Sequence, residues 1–145
     1  EGVSGGGRNL SDVIFEIPVM TPVGDTDEEL AETREHARQM IAFYGSTRTY
    51  SPVFETHGYD GLSDQLHAKQ REGDLAGMVS LITDDVLDHY TVSGSWSTLG
   101  ANLGDRYKKV APSTRLMTYT ASSQLRKHPD ILDRWAQVAR DVAAA

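Results

Sequence analysis

Val13–Met20 (VIFEIPVM), followed by Thr21-Pro22-Val23-Gly24 and then Asp25–Gly45 (DTDEELAETREHARQMIAFYG), carries the most fold information in the chain. The first segment is β-rich and almost continuously apolar, as in a strand buried on both faces of a parallel sheet. Pro18 weakens that pattern by removing one ladder donor. Thr21–Gly24 ends the strand. Thr26 with Glu29 then forms a capping-box pattern, and Asp25, Asp27 and Glu28 set negative charge at the positive end of a helix. Leu30, Thr33, Ala37, Met40, Ile41 and Tyr44 share one face, and Gly45 is a natural C′ residue. Strand, short turn and amphipathic helix make a βα unit.

Working outward, residues 46–88 predict a helical insertion. Pro52 at N1 starts a short turn that Gly58 can close, and Ser63 and Asp74 are N-cap candidates for helices over 64–72 and 75–82. At about forty residues the segment far exceeds an ordinary loop of roughly 2–6. The βα rhythm resumes with His89–Ser93 (HYTVS) as a second strand. A helix follows through Leu99, Leu103, Tyr107 and Val110, weakened by Gly100 and Gly104 at roughly 1 kcal/mol each. Arg115–Tyr119 (RLMTY) reads as a third strand. A last helix begins with Pro129 at N1 and places Ile131, Leu132, Trp135, Val138, Ala139 and Val142 on one stripe.

Alternation of this kind argues an α/β fold with a parallel sheet. Three strands cannot close on themselves and leave two open edges. A (β/α)8 TIM barrel takes eight strands and roughly 250 residues, so the 145-residue chain is expected to be its C-terminal part: about three parallel strands plus helices, with the insertion at 46–88. The chain starts at Glu1 and not at methionine, which fits a processed or truncated piece of a larger enzyme.

Composition narrows the function classes. Fourteen Lys and Arg against 21 Asp and Glu give a net charge of −7, the wrong sign for a phosphate backbone, so no nucleic-acid partner is expected. No apolar run approaches the roughly 18–20 residues of a membrane span, and the glycine-rich Glu1–Arg8 lacks a signal-peptide core. The chain has no cysteine, which excludes disulfides, zinc–thiolate sites and thiol catalysis and leaves the cytoplasm as the default compartment.

Several motifs, in order, resemble the C-terminal part of the luciferase-like flavin and deazaflavin oxidoreductases. They are Phe15–Gly24 (FEIPVMTPVG), Asp25–Leu30 (DTDEEL), Gln39–Ser46 (QMIAFYGS), Tyr50–Val53 (YSPV), Glu55–Gly58 (ETHG), Asp84–Leu87 (DDVL) and Val92–Gly94 (VSG). Ile41–Val53 is the most specific of these, and the resemblance spans most of residues 12–120. It implies a barrel with the cofactor ring at its C-terminal mouth. The implied reaction is hydride transfer between deazaflavin coenzyme F-420 and a small organic substrate, or monooxygenation with FMN. The family's main cofactor-binding and acid/base positions lie in the first half of the barrel, so no catalytic residue is carried onto this chain. After Gly94 the sequence departs from the family pattern, reading Ser95-Trp96-Ser97-Thr98 where an acidic, proline-containing helix start is usual.

Barrel enzymes hold functional groups at the C-terminal ends of strands, often with a phosphate site in the last two loops. This gives Ser93, Gly94 and Ser95 as cofactor-binding candidates, and Thr21, Tyr119 and Thr120 as substrate-binding candidates. Ser95 or Ser97 could equally cap a helix. Arg48 and Tyr50 could line a substrate entrance, or be a solvated charge and a packed corner. Asp84-Asp85-Val86-Leu87-Asp88 matches a DDxxD magnesium–diphosphate spacing, yet precedes a strand and suits solvated helix-end carboxylates. The histidines show no metal-ligand spacing, and neither a Walker loop nor a GxSxG elbow is present. The expected partners are a small-molecule substrate, the remainder of the barrel and, with the open edges, a second copy. A non-catalytic half-barrel that completes its sheet on a partner chain is the alternative to the oxidoreductase.

Overall fold

Thr26 starts the longest element, and the helix does what its capping residues dictate. The computed structural model describes residues 5–110, 114–120 and 122–145. The Thr26 hydroxyl accepts the Glu29 N–H at 3.2 Å, and the Glu29 carboxylate reaches back to the Asp25 N–H at 2.9 Å. Helix α1 spans Asp27–Gly45 and buries Thr33, Ala37, Ile41 and Ala42. Gly45 is not a left-handed stop but the helix's last residue, with Ser46 as cap. A Cβ at Gly45 would lie 2.7 Å from the Phe54 ring and 2.8 Å from Leu66, so close packing requires the glycine.

The following region is helical throughout: a 3-10 turn at Arg48–Tyr50, then α2 (Ser51–Glu55), α3 (Leu62–Glu72), α4 (Leu75–Leu81) and α5 (Asp84–Tyr90). Asp74 caps α4 by accepting the Gly77 N–H at 2.8 Å, as its position predicts. Ser63 does not cap α3. That helix starts from Gly61 at φ 73°, and the buried Ser63 hydroxyl instead donates to the Gly45 carbonyl at 2.7 Å. Against α1 these helices form one apolar core, with Leu66, Ile82 and Leu87 almost fully buried.

A second core lies around strands β1 (Phe15–Val19) and β2 (Thr114–Thr118), which pair in parallel with Ile17 opposite Leu116. Ile17, Val19 and Leu116 face α6 (Leu99–Tyr107) and α8 (Ile131–Ala144), with Val23, Trp96, Leu103 and Val138 filling the space. Between β2 and α8 runs α7 (Ser122–Lys127), a helix the sequence pattern does not announce. Gly100 and Gly104 are buried where α6 meets α8. A Cβ at Gly100 would come within 2.4 Å of the Asp141 Cβ, and one at Gly104 within 2.3 Å of the Ala145 Cβ. The glycines therefore set a close helix–helix approach.

The expected three-strand part of a TIM barrel is overturned. Among the described residues the chain is mostly helical, and its sheet has two strands. The second expected strand, His89–Ser93, fails because Thr83 caps α5 and buries Val86 and Leu87 behind it, drawing His89 and Tyr90 into the helix. What is left before the Ser95 turn is too short for a strand. It touches the β1 extension through two isolated parallel bridges, Met20 with Thr91 and Val23 with Gly94.

Alternation puts Glu16, Pro18, Arg115 and Met117 on the opposite face of the sheet. There Glu16 sits in register with Arg115 and Pro18 with Met117. Met117 is 49% exposed and Tyr119 55% exposed, so this face is incompletely covered within the described residues. Nor is any described helix long and apolar enough to cross a membrane.

Candidate functional site

Both strands run the same way, so their C-terminal ends open on one side, and the chain turns there into Met20–Val23 and Tyr119–Thr120. The first turn is fixed from two directions. The Val23 carbonyl accepts the Thr33 hydroxyl of α1 at 3.1 Å and the buried Gln124 side-chain amide of α7 at 2.8 Å. Gly24 is needed beside it, since a Cβ would lie 2.4 Å from the Leu30 backbone nitrogen. A cavity of about 190 Å³ opens between these turns and α1, with Thr21, His36, Met40, Tyr44, Tyr119 and Thr120 in its lining.

Thr21 is the most informative of these groups. It is 6% exposed, and its hydroxyl has no hydrogen-bond partner among the described residues. Burying a hydroxyl unpaired costs roughly 1–3 kcal/mol, so such an atom beside a cavity marks a place where a ligand oxygen or nitrogen can repay that cost. Thr120 offers a second hydroxyl, Tyr119 a phenol and His36 an imidazole. Together they can hold and orient a small molecule with one or two polar atoms.

Of the residues expected from sequence, Thr21, Tyr119 and Thr120 come together here. Tyr50 lies in an adjoining cavity that shares Met20, Tyr44 and Tyr119 with the first. Arg48 is exposed and lines neither cavity. Ser93, Gly94 and Ser95 lie apart from the cleft, and their polar groups are engaged within the chain. The Ser93 hydroxyl accepts from Arg34 at 3.2 Å, its carbonyl from Asn102 at 2.9 Å, and the Gly94 N–H donates to the Pro22 carbonyl. The Ser95 N–H donates to the Thr98 hydroxyl at 3.0 Å. This turn is a satisfied helix entry, not an open cradle for a phosphate.

Sequence reasoning missed His36, Met40 and Gln124. His36, Met40 and Tyr44 stand four residues apart on α1, so a histidine one turn before a methionine–tyrosine stripe was the available signal. Gln124 had none, because its role depends on α7.

The DDxxD segment is also accounted for. Asp84 pairs with Arg38 at 2.6 Å, and Asp88 with Arg34 at 2.6 Å. Asp85 accepts the Tyr59 hydroxyl at 3.0 Å. The Arg38 guanidinium, with Arg34 behind it, holds the Asp84 carboxyl below the usual carboxylate range. Asp84 and Asp88 are neutralised by the Arg34–Arg38 pair and Asp85 is held by Tyr59, and no metal-binding group of acids and histidines occurs among the described residues.

Fold and cleft together define a mostly helical protein with a small parallel sheet whose strand ends carry a small-molecule-sized cavity. No family model matches the chain, and no solved structure matches it. It is similar to the uncharacterized protein Rv1360 of Mycobacterium tuberculosis, 35% identical over 123 residues, which is 85% of this chain and 36% of the relative. The uncharacterized protein Mb1395 of Mycobacterium bovis matches with the same identity and coverage. The chain thus spans about a third of the length of the curated relatives it matches.

Proposed function

We propose that this chain forms the substrate-side wall of an oxidoreductase of the luciferase-like type. In this reading hydride passes between coenzyme F-420, or FMN, and a small organic substrate. The observation that carries it is the cleft at the C-terminal ends of β1 and β2, where Thr21 keeps a buried hydroxyl free beside Tyr119 and Thr120. The ordered motifs from Phe15 to Gly94 supply the class of reaction. A deazaflavin delivers hydride without useful oxygen activation, whereas a flavin supports both.

The residues of this chain do not fit the cofactor's phosphate, because Ser93, Gly94 and Ser95 are already partnered; its contacts are assigned to the rest of a longer protein of the relatives' length. Thr21, Tyr119 and Thr120 bind and orient the substrate, and Tyr44 and Met40 keep water from its apolar part. Fluorescence titration of coenzyme F-420 and of FMN against the full-length mycobacterial relative tests the reading. Saturable binding of one of them is expected, and failure of both to bind removes the oxidoreductase assignment.

One observation favours a second reading, a non-catalytic module that completes its sheet on another chain. The face carrying Pro18, Met117 and Tyr119, with Glu16 and Arg115 beside them, is incompletely covered among the described residues. Sedimentation of the 145-residue chain discriminates, because a monomer at high concentration excludes self-pairing through that face.

A further inference from the structure

The second cavity, about 300 Å³, adjoins the first across Met20, Tyr44 and Tyr119 and continues it toward the 3-10 turn at Arg48–Tyr50. Its lining is chemically distinct. Four tyrosines (Tyr44, Tyr50, Tyr90 and Tyr119) and Phe54 surround it, and none of its lining residues is an aspartate, glutamate, lysine, arginine or histidine. In a chain of net charge −7 with 24% charged residues, a ten-residue lining without one ion is a selective feature.

The rings are held at stacking distances. Tyr44 and Tyr50 stand 5.9 Å apart and tilted by 53°, and Phe54 meets Tyr90 edge-on at 5.4 Å. The Tyr90 hydroxyl is spent on the Val53 carbonyl at 3.0 Å, so this tyrosine turns its ring, and not a free donor, to the cavity. Burial pushes its phenol up to about 12, with Tyr59 adding to the effect, which marks an environment hostile to charge. An ionic ligand would find no charged side chain of either sign in this lining to pair with. A flat apolar ring gains burial and edge or face contacts with Tyr44, Tyr50 and Tyr119.

We infer that this tyrosine-lined cavity binds an uncharged planar aromatic ring, making the substrate class of the cleft a neutral aromatic small molecule whose polar substituent reaches the Thr21 and Thr120 hydroxyls. The inference rests on the oxidoreductase reading for its word substrate, but not for the binding itself.

Two probes with one ring system test it: 2-naphthol, which is neutral, and naphthalene-2-sulfonate, which is anionic. Titration of the 145-residue chain by calorimetry and ligand-observed NMR is expected to show naphthol binding at least about tenfold tighter than the sulfonate. Tyr50→Ala and Tyr119→Ala are each expected to weaken naphthol about fivefold or more, while Tyr50→Phe retains binding. Tyr50→Leu separates aromatic stacking from bulk, and Leu132→Ala on the far side of α8 is a control expected to leave affinity unchanged. Equal or tighter binding of the sulfonate, no binding of either probe, or Tyr50→Leu and Tyr119→Ala variants that bind as the parent does would each overturn the inference. Naphthol binding with no redox cofactor on the longer relative sinks the oxidoreductase reading alone; cofactor binding without naphthol selectivity sinks this one alone.

Discussion

Thr21 ties stability to function at one atom. Its buried, unpartnered hydroxyl is a standing cost, so replacing it with the isosteric valine is expected to stabilise the chain by about 1 kcal/mol. Chemical denaturation measures this, and a destabilised Thr21→Val protein would show that the hydroxyl is satisfied in solution. His89 makes a second residue-scale case. Burial, with His57 at 4.3 Å between ring centroids and Arg106 nearby, lowers its pKa from the ordinary 6.5, against a weaker opposing pull from Asp85. The unfolded chain therefore binds more protons than the folded one below pH 6.5, and stability falls as acid is added through that window. Thermal melts between about pH 5 and pH 7 should show that slope flattened in His89→Gln. An unchanged slope would place the sensitivity elsewhere.

Among the elements, the contact between α6 and α8 sets helix propensity against packing. Propensity alone gives Gly100→Ala a gain of roughly 1 kcal/mol. The Asp141 Cβ and the Val138 carbonyl, at 2.4 and 3.0 Å from the added methyl, oppose it, and both belong to a helix that cannot shift without opening the second core. Packing wins: Gly100→Ala is expected to cost about 1–3 kcal/mol. Gly104→Ala meets one side-chain atom closely, the Ala145 Cβ at 2.3 Å, with the nearest backbone atoms at 3.7 Å, so its effect is smaller. Equilibrium unfolding of the two variants checks the ranking. Equal or reversed effects would mean that α8 does not sit against α6 as described. The same helix is anchored from its other end by Arg134, which pairs with Asp25 and Asp130 and lies 5.6 Å above the Trp96 ring.

At the scale of the molecule, two cores meet along the β1 extension, with Met20 packed on one and Val19 and Val23 in the other, but differ in how they are closed. The helical core around Leu66 and Leu87 is wrapped on its sides by α2 to α5, whereas the core around Val19 and Leu99 ends at a two-stranded sheet. The sheet's far face presents Met117 and Tyr119 to water, with Ile14 exposed just before β1. Apolar sheet surface of this kind associates. Concentration-dependent association of the 145-residue chain is expected in sedimentation velocity. Met117→Lys should suppress it while the helical circular dichroism is retained. Association that persists unchanged in that variant would move the sticky surface elsewhere, Phe43 and Leu75 on the α1–α4 side being the next exposed pair.

Local chemistry was enough for the sequence to determine the strand at Phe15–Val19, α1 with its Thr26 cap, the Asp74 cap of α4, the β2 segment and the α8 stripe, because each depends on residues within one or two turns of each other. That Thr21, Tyr119 and Thr120 lie together was also legible, since the ends of parallel strands must open on one side. Only the tertiary structure decided that His89 and Tyr90 finish a helix instead of opening a strand. It alone showed that Gly45, Gly100 and Gly104 mark close approaches, and that Asp84, Asp85 and Asp88 are spoken for by Arg38, Tyr59 and Arg34. It also brought Gln124 onto the Val23 carbonyl, a hundred residues away along the chain, and set Tyr50 beside Tyr44 at the cleft. Those outcomes depend on which distant surfaces meet, and periodicity along a single chain carries no information about that.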